Sequence, residues 1–477
     1  MGYLFYDLES TGLLPCFDTP LQVAFLQTDS EHRVQRELAL RCRLPHHVVP
    51  SPDALLVTSV TPTMLDDQPL SHMEMMAQIA RAMADSRPAM LIGYGNLRYD
   101  DEVIRQSFFQ TLLPPYAGAM TGHGRADVLT MLRAVIMLEP DAVAVPRRPE
   151  GKPVLKLGDV CRANGISLSE DAAHDAFADV LATRDLFRLL QDRAPTTMAT
   201  MLSHAKKSGP NRLMAGDDPV ILGGISRLVP VAPFIGSPTN PNARTVIDLR
   251  EDPSGLLNLQ APELLALIRS GRSAVRQVKT NAQPILFAWD QAAHALVEPQ
   301  PLSVYSDRAR ACWDHPTFTR QLSLALEGRY ADREPSPWVD EQLYSGGFIS
   351  NADAAACERW HQQPWDMRAG FAAQHIQDSR LRSLAIRQVF LNAPEVLSRD
   401  AWSRGQDWLR HRLTTADEVP WLTLPKALAR CKELEATADS ASRPALDAIK
   451  AWLVARREAL GPDEAASVER GPAMAPA

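Results

Sequence analysis

The sequence predicts an α/β domain with a mixed sheet, followed by a small β domain and an α-helical C-terminal domain. Three observations support this order. Strand-like segments alternate with helical patterns over residues 1–195, short apolar runs separated by Pro and Gly fill residues 196–335, and helical periodicity dominates residues 336–460. Because strand–helix alternation is typical of α/β domains and short runs between turn residues are typical of β domains, we expect three domains.

The first domain, residues 1–195, begins with three strands. Strands are predicted at residues 3–9, 21–28, 37–44 and 90–94. Helices are predicted at residues 72–84, 102–112, 126–138 and 176–192. Three early strands followed by strand–helix alternation indicate a sheet that contains both antiparallel and parallel neighbours.

The second and third domains differ in their periodicity. Short apolar runs occupy residues 219–222, 228–231, 245–249 and 284–289, with one helical segment at residues 262–270. Helices are then predicted at residues 351–363, 379–391, 399–413, 424–435 and 441–458. Residues 461–477 are rich in Pro, Ala and Glu, and we expect this tail to be disordered.

The bulk composition limits the class of protein. The chain has 477 residues and a formal net charge of −7, which counts mildly against nucleic-acid binding, although local basic stripes do that binding. Six scattered cysteines without a CxxC pair argue against a structural zinc site and favour a reducing, cytoplasmic compartment. We find no signal-peptide pattern and no apolar run long enough to span a membrane, so no membrane association is expected.

Three acid-rich clusters lie in order within the first 180 residues. Asp7 and Glu9 lie on the first predicted strand, where residues i and i+2 point to the same face. Asp100 follows the predicted strand at residues 90–94, and Asp179 lies near the start of the long helix. Carboxylate oxygens are ligands that Mg²⁺ prefers. The order and context of the clusters therefore predict a two-metal site that can cut phosphodiesters.

Asp7 is the expected bridging ligand of this site, because it lies in the middle of the cluster beside Glu9. Asp101 and Glu102 are rivals to Asp100. Acidic residues are also common in the first turn of a helix, where they interact favourably with the helix dipole, and that is the more frequent reason for such residues.

His174 and Asp179 are five residues apart, which turns them about 140° from each other on a continuous helix. They fit one site better if His174 precedes the helix and Asp175 is its N-cap. A histidine with a pKa near 6.5 can take a proton from an attacking water at neutral pH. We therefore expect His174 to be a general base and Asp175 to have a structural role.

These motifs resemble those of bacterial exodeoxyribonuclease I, a family of DEDDh 3′→5′ exonucleases. The catalytic motifs are similar to Asp7-Leu8-Glu9-Ser10-Thr11-Gly12, to residues 93–103 and to residues 174–180. Segments outside the catalytic motifs, such as residues 211–214 and 340–346, resemble the family as well. The resemblance covers nearly the whole chain. It implies an RNase H-like core, an SH3-like β-barrel and a helical domain that close over the core as a clamp.

The resemblance also implies an activity. The implied enzyme degrades single-stranded DNA from the 3′ end, releases 5′-mononucleotides, and has a role in DNA repair and recombination. Asp7, Glu9, Asp100 and Asp179 would bind two Mg²⁺ ions, for which Mn²⁺ can substitute, and His174 would be the general base. The implied partners are single-stranded DNA and the single-stranded DNA-binding protein, and we expect a monomer.

Substrate-binding residues are expected near the metals and on basic surfaces. Glu9, Thr11 and Gly12 would contact the 3′-terminal nucleotide. Lys156 lies where the family carries an arginine that touches phosphate, and lysine keeps the charge but loses the bidentate geometry. An exonuclease also needs a positively charged groove that follows the strand. The basic candidates for that groove are Lys206, Lys207, Arg212, Arg269, Arg272, Arg276, Lys279, Arg308 and Arg310.

Two alternative functions stay open. A DEDDh exoribonuclease or a polymerase-proofreading exonuclease would share the five catalytic residues, although such chains are usually short and have a single domain. The alternative from another class is a non-catalytic scaffold that binds single-stranded DNA, which the five intact residues oppose. A phosphate-loop NTPase is excluded, because no Gly-x-x-x-x-Gly-Lys-Ser/Thr motif occurs.

Overall fold

A five-stranded mixed sheet forms the first part of the chain. Its order is β3-β2-β1-β4-β5, with β1–β2 and β2–β3 antiparallel and β1–β4 and β4–β5 parallel. The strands are β1 (Gly2–Ser10), β2 (Pro20–Thr28), β3 (Val34–Arg41), β4 (Ala89–Gly93) and β5 (Gly124–Asp127). The computed structural model describes residues 1–119, 122–167, 175–271, 273–330 and 334–461. The predicted mixed sheet is confirmed.

The helices around this sheet are α1 (Pro52–Val57), α2 (Pro62–Asp66), α3 (His72–Asp85), α4 (Asp100–Gln110), α5 (Val128–Leu138), α6 (Leu157–Ala163), α7 (Ala176–Arg193), α8 (Pro195–Ser203) and α9 (Ser208–Leu213). Helix α3 begins with a capping box in which Ser71 and Glu74 satisfy each other's backbone N–H groups. The prediction placed Ala126 and Asp127 in a helix, which is wrong. These residues end β5, and Asp127 caps α5 by accepting hydrogen bonds from Leu129 N and Thr130 N.

Strand β1 carries the core on both faces. Phe5 packs with the core beneath α5 and α7, whereas Leu4, Tyr6 and Leu8 pack into the core on the other face. The ring centroids of Phe5 and Phe187 of α7 lie 5.6 Å apart. Asp7 and Glu9 continue the Phe5 face, so the strand leaves the apolar core and presents carboxylates where the sheet ends.

A second five-stranded sheet follows, and all its neighbouring strands are antiparallel, in the order β10-β6-β7-β8-β9. Its strands are β6 (Val220–Gly223), β7 (Leu228–Gly236), β8 (Ala243–Asp248), β9 (Val275–Lys279) and β10 (Leu286–Phe287). The helices of this region are α10 (Ser254–Leu257), α11 (Ala261–Ser270), α12 (Trp289–Ala292), α13 (Leu302–Trp313) and α14 (Pro316–Glu327). The predicted β domain is present, but β9 and helices α13 and α14 were not predicted.

The C-terminal part is helical, as predicted, and consists of α15 (Asn351–Gln362), α16 (Trp365–His375), α17 (Ser379–Asn392), α18 (Arg399–Thr414), α19 (Leu424–Glu435) and α20 (Arg443–Glu458). Helix α16 was not predicted. Residues 462–477, most of the predicted tail, lie outside the described residues. No described helix is long and apolar enough to cross a membrane.

The buried cores cross the predicted domain limits. One core joins Leu21, Val48 and Leu55 of the first region to the C-terminal helices α19 and α20, and another joins Phe109 to α15, α16 and α17. The core beneath α5 and α7 continues into β6, β7 and β10. The three regions are therefore packed together, while limits at residues 195 and 335 remain predictions.

Candidate active site

Three carboxylates meet at the end of β1. Oxygens of Asp7, Glu9 and Asp179 all lie within 4.8 Å of one another, and each residue is partly buried. Strand β1 supplies the first two residues and the first turn of α7 supplies the third. This is an arrangement of oxygen ligands that a divalent cation prefers.

Asp100 is the first residue of α4 and is buried at 7% exposure. Burial and then its charge and that of Asp179 raise the pKa of Asp7. The bridging role of Asp7 stays a prediction.

Burial and mutual repulsion raise the pKa values of the cluster. Burial is the main cause for Asp7, whose pKa lies well above its usual range, and Asp100, Asp179 and Glu9 add to it. Burial, Asp179 and Asp100 raise the pKa of Glu9 to about 8, and burial and Asp101 raise that of Asp100 to about 7. A bound cation would offset both causes, so the donor set fits a divalent metal.

The two rivals to Asp100 have other partners. Asp101 accepts hydrogen bonds from the Tyr6 hydroxyl and, at 2.6 Å, from Arg125 Nη1. Glu102 accepts from Arg105 Nη1 at 2.6 Å and from the Tyr344 hydroxyl at 2.8 Å. Asp101 and Glu102 are thus engaged by other side chains, whereas the charge of Asp100 acts on Asp7.

Asp175 caps α7, as predicted. Its carboxylate accepts from Phe177 N at 2.9 Å, and from Gln22 Nε2 and Arg41 Nη2 at 3.2 Å each. Burial opposes the change, but these donors lower the pKa of Asp175, so it stays ionised at neutral pH. The cap holds the first turn of α7, and with it Asp179, against β2 and β3. His174 lies outside the described residues.

The loop after β1 is organised by Asp18, which the sequence interpretation missed. Asp18 accepts hydrogen bonds from the Thr11 hydroxyl and from Leu14 N, each at 2.7 Å. A Cβ on Gly12 would lie 2.6 Å from Asp18 Oδ2, so only glycine fits this position without a shift. The sequence pattern gives no sign of this role of Asp18. Only the folded loop brings Asp18 into contact with Thr11, seven residues earlier in the chain.

The Thr11 hydroxyl is therefore engaged in holding the loop, and it also accepts from Thr19 N at 3.0 Å. The carbonyl of Gly12 accepts from the Ser10 hydroxyl at 2.9 Å and from the Tyr99 hydroxyl. Leu13, the next residue, is 84% exposed. The loop is thus a fixed turn directly after β1 that presents an exposed apolar side chain.

Comparison with known proteins places this site in a family. The family model described as "Exonuclease" matches residues 4–187, and the one described as "Exonuclease I C-terminal domain" matches residues 338–455. Exodeoxyribonuclease I of Escherichia coli is 30% identical over 86% of this chain and 89% of its own length. The chain belongs to the exodeoxyribonuclease I family. The Haemophilus influenzae exodeoxyribonuclease I is also 30% identical, over 74% of this chain and 78% of its own length.

Solved exonuclease I structures share the whole architecture. The enzyme from Methylocaldum szegediense has a TM-score of 0.84 at 27% identity and matches 96% of this chain and 100% of its own. The Escherichia coli enzyme in complex with a dA16 oligonucleotide has a TM-score of 0.84 at 25% identity, over 95% and 99% of the two chains. The predicted fold class and the family are confirmed, and the chain is a nuclease of the hydrolase class.

In this exodeoxyribonuclease I family member, Lys156 is exposed and directly precedes α6. The neighbouring carbonyl of Leu155 accepts a 2.6 Å hydrogen bond from the Tyr94 hydroxyl, just after β4. This contact ties the Lys156 segment to the strand that leads to Asp100.

The basic candidates separate into two groups. Lys206, Lys207 and Arg212 are exposed around the start and end of α9. In the other group, Arg276 pairs with Asp248 at 2.7 Å, and Arg308 donates to the carbonyls of Leu249 and Arg250. Arg272 lies outside the described residues. Arg276 and Arg308 are therefore engaged within the protein, whereas Arg269, Lys279 and Arg310 are exposed like the first group.

Proposed function

We propose that this protein degrades single-stranded DNA in the 3′→5′ direction and releases 5′-mononucleotides, with a role in DNA repair and recombination. The observation that carries the proposal is the meeting of Asp7, Glu9 and Asp179 at the end of β1, with the charge of Asp100 acting on Asp7, in a member of the exodeoxyribonuclease I family. Relatives from Escherichia coli have been solved with dA16 and dT13 oligonucleotides, which supports the choice of substrate.

The family implies dependence on a divalent metal, and the acidic cluster is present. We propose that Asp7, Glu9, Asp100 and Asp179 hold two Mg²⁺ ions, with Mn²⁺ as a possible substitute. When bound, such ions act as Lewis acids and lower the pKa of a bound water. The protein holds the carboxylates of Asp7, Glu9 and Asp179 in fixed positions, since the apolar core fixes β1 and α7, which carry them.

His174 is the proposed general base. It directly precedes Asp175, which anchors the start of α7 through three donors. An imidazole with an ordinary pKa can take the proton of the attacking water at neutral pH. Its place in the sequence, next to a fixed cap and five residues before Asp179, supports this role.

Glu9, Thr11 and Gly12 are proposed to contact the 3′-terminal nucleotide. Asp18 and Thr19 N already engage the Thr11 hydroxyl. The loop would therefore contact the nucleotide through its backbone or its other exposed atoms rather than through that hydroxyl. Lys156, Lys206, Lys207 and Arg212 are proposed to contact strand phosphates. We further propose that the protein works as a monomer and binds the single-stranded DNA-binding protein, as the family resemblance implies.

The proposal is tested with a 5′-labelled single-stranded DNA oligonucleotide in Mg²⁺, beside matched duplex DNA and RNA. We expect a ladder that shortens from the 3′ end on single-stranded DNA, and its loss in Asp179→Ala or with EDTA. Degradation of RNA in preference to DNA would indicate an exoribonuclease. Tight DNA binding without any cleavage would indicate a scaffold and contradict the proposal.

A further inference from the structure

A buried hydrogen-bond network lies on the face of the first sheet opposite to the acidic site. Successive residues of a strand point to opposite faces, so Tyr6 projects from β1 away from the face that carries Asp7. The buried Tyr6 hydroxyl donates to Asp101 Oδ1 and accepts from Asn96 Nδ2 at 2.8 Å. One hydroxyl thus joins β1 to the segment that begins α4.

This contact matters because each of its partners is the neighbour of a proposed metal ligand. Tyr6 directly precedes Asp7, and Asp101 directly follows Asp100. The hydrogen bond between Tyr6 and Asp101 therefore fixes the two backbone segments on which Asp7 and Asp100 stand relative to each other. Contacts that orient metal ligands in this way are typically worth about 10–100-fold in metal affinity or activity.

A third element completes the link. Arg125 of β5 donates from Nη1 to Asp101 Oδ2 at 2.6 Å, and the two side chains are 15% and 8% exposed. Arg105 Nη2 lies 4.0 Å from the same carboxylate oxygen. Asp101 is thus held through one oxygen by Tyr6 of β1 and through the other by Arg125 of β5.

Arg125 is fixed in turn by the loop between β9 and β10 of the second sheet. Its Nη2 donates to the carbonyl of Asn281 in this loop at 2.8 Å. Two residues further on, Gln283 Oε1 accepts from Asp127 N at 2.7 Å, and Gln283 Nε2 donates to the carbonyl of Met201 at 3.1 Å. The β9–β10 loop therefore contacts β5 at both Arg125 and Asp127.

The backbone of this loop is held in an unusual conformation. Gln283 is buried and has a φ of 47°, in the left-handed region that residues other than glycine seldom adopt. Such a backbone persists where the surrounding contacts hold it. Strand β5 is an edge of the first sheet, and its outward N–H groups are paired from outside the sheet, that of Arg125 with the carbonyl of Ala205 at 3.0 Å and that of Asp127 with Gln283.

We propose that Arg125 is a positioning residue for the acidic site. It holds Asp101, and with it the start of α4 and Asp100, against the strand that carries Asp7, while the β9–β10 loop keeps the guanidinium in place. The second sheet thereby takes part in arranging the acids, although none of the proposed ligands lies on it. The inference deepens the proposed function, on which its kinetic test rests, whereas its metal-binding test does not depend on cleavage.

Two other roles of Arg125 would give different results. If Arg125 acted only through its positive charge, its removal would strengthen the binding of a cation, because the site becomes more negative. If Arg125 only stabilised the fold, its removal would lower the melting temperature and leave the turnover of the folded protein unchanged. Positioning predicts weaker cation binding and slower turnover together.

The test compares Arg125→Met and Arg125→Lys in the full chain. Arg125→Met removes both hydrogen bonds of the guanidinium, whereas Arg125→Lys keeps the charge. Mn²⁺ is titrated calorimetrically without DNA, and kcat and KM for dT13 are measured in Mg²⁺. We expect Arg125→Met to weaken Mn²⁺ binding and to lower kcat, each about tenfold or more, with KM changed by less than about twofold. Arg125→Lys should recover most of both losses.

Two further variants separate the loop from the fold. Gln283→Met removes the contact of the β9–β10 loop with Asp127 and changes no charge, so we expect it to lower Mn²⁺ affinity and kcat by a smaller factor. Arg368→Met is the matched control, because Arg368 is also buried and donates to the carbonyls of Gln363 and His361 at 2.9 Å each, at the end of α15. It should lower the melting temperature and leave Mn²⁺ affinity and kcat unchanged.

Each outcome decides the proposal. Unchanged or tighter Mn²⁺ binding by Arg125→Met, an equal loss of kcat in Arg368→Met, or no Mn²⁺ binding by the wild type would overturn it. A change confined to KM would also overturn it, since it would assign Arg125 to strand binding. If Arg125→Met does not fold, Gln283→Met decides, and unchanged values there would contradict the proposal. If the wild type binds Mn²⁺ but cleaves no DNA, the proposed function fails, and Mn²⁺ affinity alone still decides the role of Arg125.

Discussion

At the scale of single residues, the site is a group of carboxylates whose ionised forms are disfavoured by burial and by mutual repulsion. Burial and mutual repulsion raise the pKa values of Asp7, Glu9 and Asp100 together. Such a site is strained without a cation and relaxed with one, which couples metal binding to stability.

This coupling predicts a pH dependence. In the folded state the pKa of Asp100 is about 7 and that of Glu9 about 8, far above their ordinary values. Between pH 6.5 and 8 the folded state therefore binds more protons than the unfolded state, and stability falls as the pH rises. We expect the melting temperature in EDTA to fall across this window, measured by differential scanning calorimetry.

Two comparisons sharpen that measurement. Mg²⁺ should raise the melting temperature more at pH 8 than at pH 6.5, and Glu9→Gln should flatten the slope in EDTA. A melting temperature that stays level or rises between pH 6.5 and 8 in EDTA would contradict the electrostatic account of the cluster.

The sequence could predict much at this scale. Alternation on a strand places Asp7 and Glu9 on one face, and the start of the helical pattern at Ala176 places Asp175 at the cap. The role of Asp101 could not be predicted, because Asp101 lies on helix α4 and its partner Arg125 lies 24 residues away on strand β5. Contacts of this kind depend on the fold and leave no local pattern.

At the scale of elements, the loop between β1 and β2 positions the rim of the site. Asp18 accepts from the Thr11 hydroxyl and from Leu14 N, and it is 9% exposed. We expect Asp18→Ala to cost about 1–3 kcal/mol of stability, since buried donors lose their acceptor. We also expect a higher KM for single-stranded DNA, measured by steady-state kinetics.

Asp29 offers a matched control for that variant. It organises the turn between β2 and β3 in a similar way, accepting from Glu31 N and Arg33 N, but it lies on the surface away from the acids. Asp29→Ala should leave the KM unchanged. An equal effect of both variants on the KM would show that the loop has no special role in binding.

Prediction of elements failed where tertiary context decides. Strand β5 has four residues, and apolar periodicity that continues into α5 hides it. Strand β9 has the sequence Val-Arg-Gln-Val-Lys, and its arginine and lysine predict a basic surface rather than a strand. Helices α13 and α14 contain many polar residues, so their narrow apolar face was missed, although Phe318 and Leu322 are fully buried.

At the scale of the whole molecule, a buried ion network joins the C-terminal helices to the site. Asp340 accepts from Arg387 Nη1 at 2.6 Å and lies 3.8 Å from Arg412 Nη1. The Arg412 guanidinium lies 5.2 Å from the ring centroid of Phe17, next to Asp18. The network therefore connects α17 and α18 to the loop that holds Thr11.

We expect Asp340→Asn to cost about 3–5 kcal/mol, because it leaves two arginines buried without their counter-charge. Urea unfolding monitored by circular dichroism measures this cost. The control is Asp53→Asn, which removes an exposed pair with Arg430 and should change stability very little. Equal losses in the two variants would contradict the role given to the buried network.

The shared cores predict that the first region does not fold alone. Leu21, Val48 and Leu55 lose their partners Leu424 and Leu446 when the chain ends at residue 195. We expect the 1–195 fragment to aggregate or to lack a cooperative thermal transition, measured by calorimetry. A cooperative transition at a melting temperature near that of the full chain would show that the shared cores contribute little.

The most direct test of the central claim is single-turnover cleavage of 5′-labelled single-stranded DNA by matched amide variants. Asp7→Asn, Glu9→Gln, Asp100→Asn and Asp179→Asn should each slow cleavage roughly 10³-fold or more. Glu102→Gln, two residues from Asp100 and engaged with Arg105 and Tyr344, should retain activity near that of the wild type. Full activity in any of the four variants, or a loss in Glu102→Gln as large as theirs, would contradict the assignment of the site.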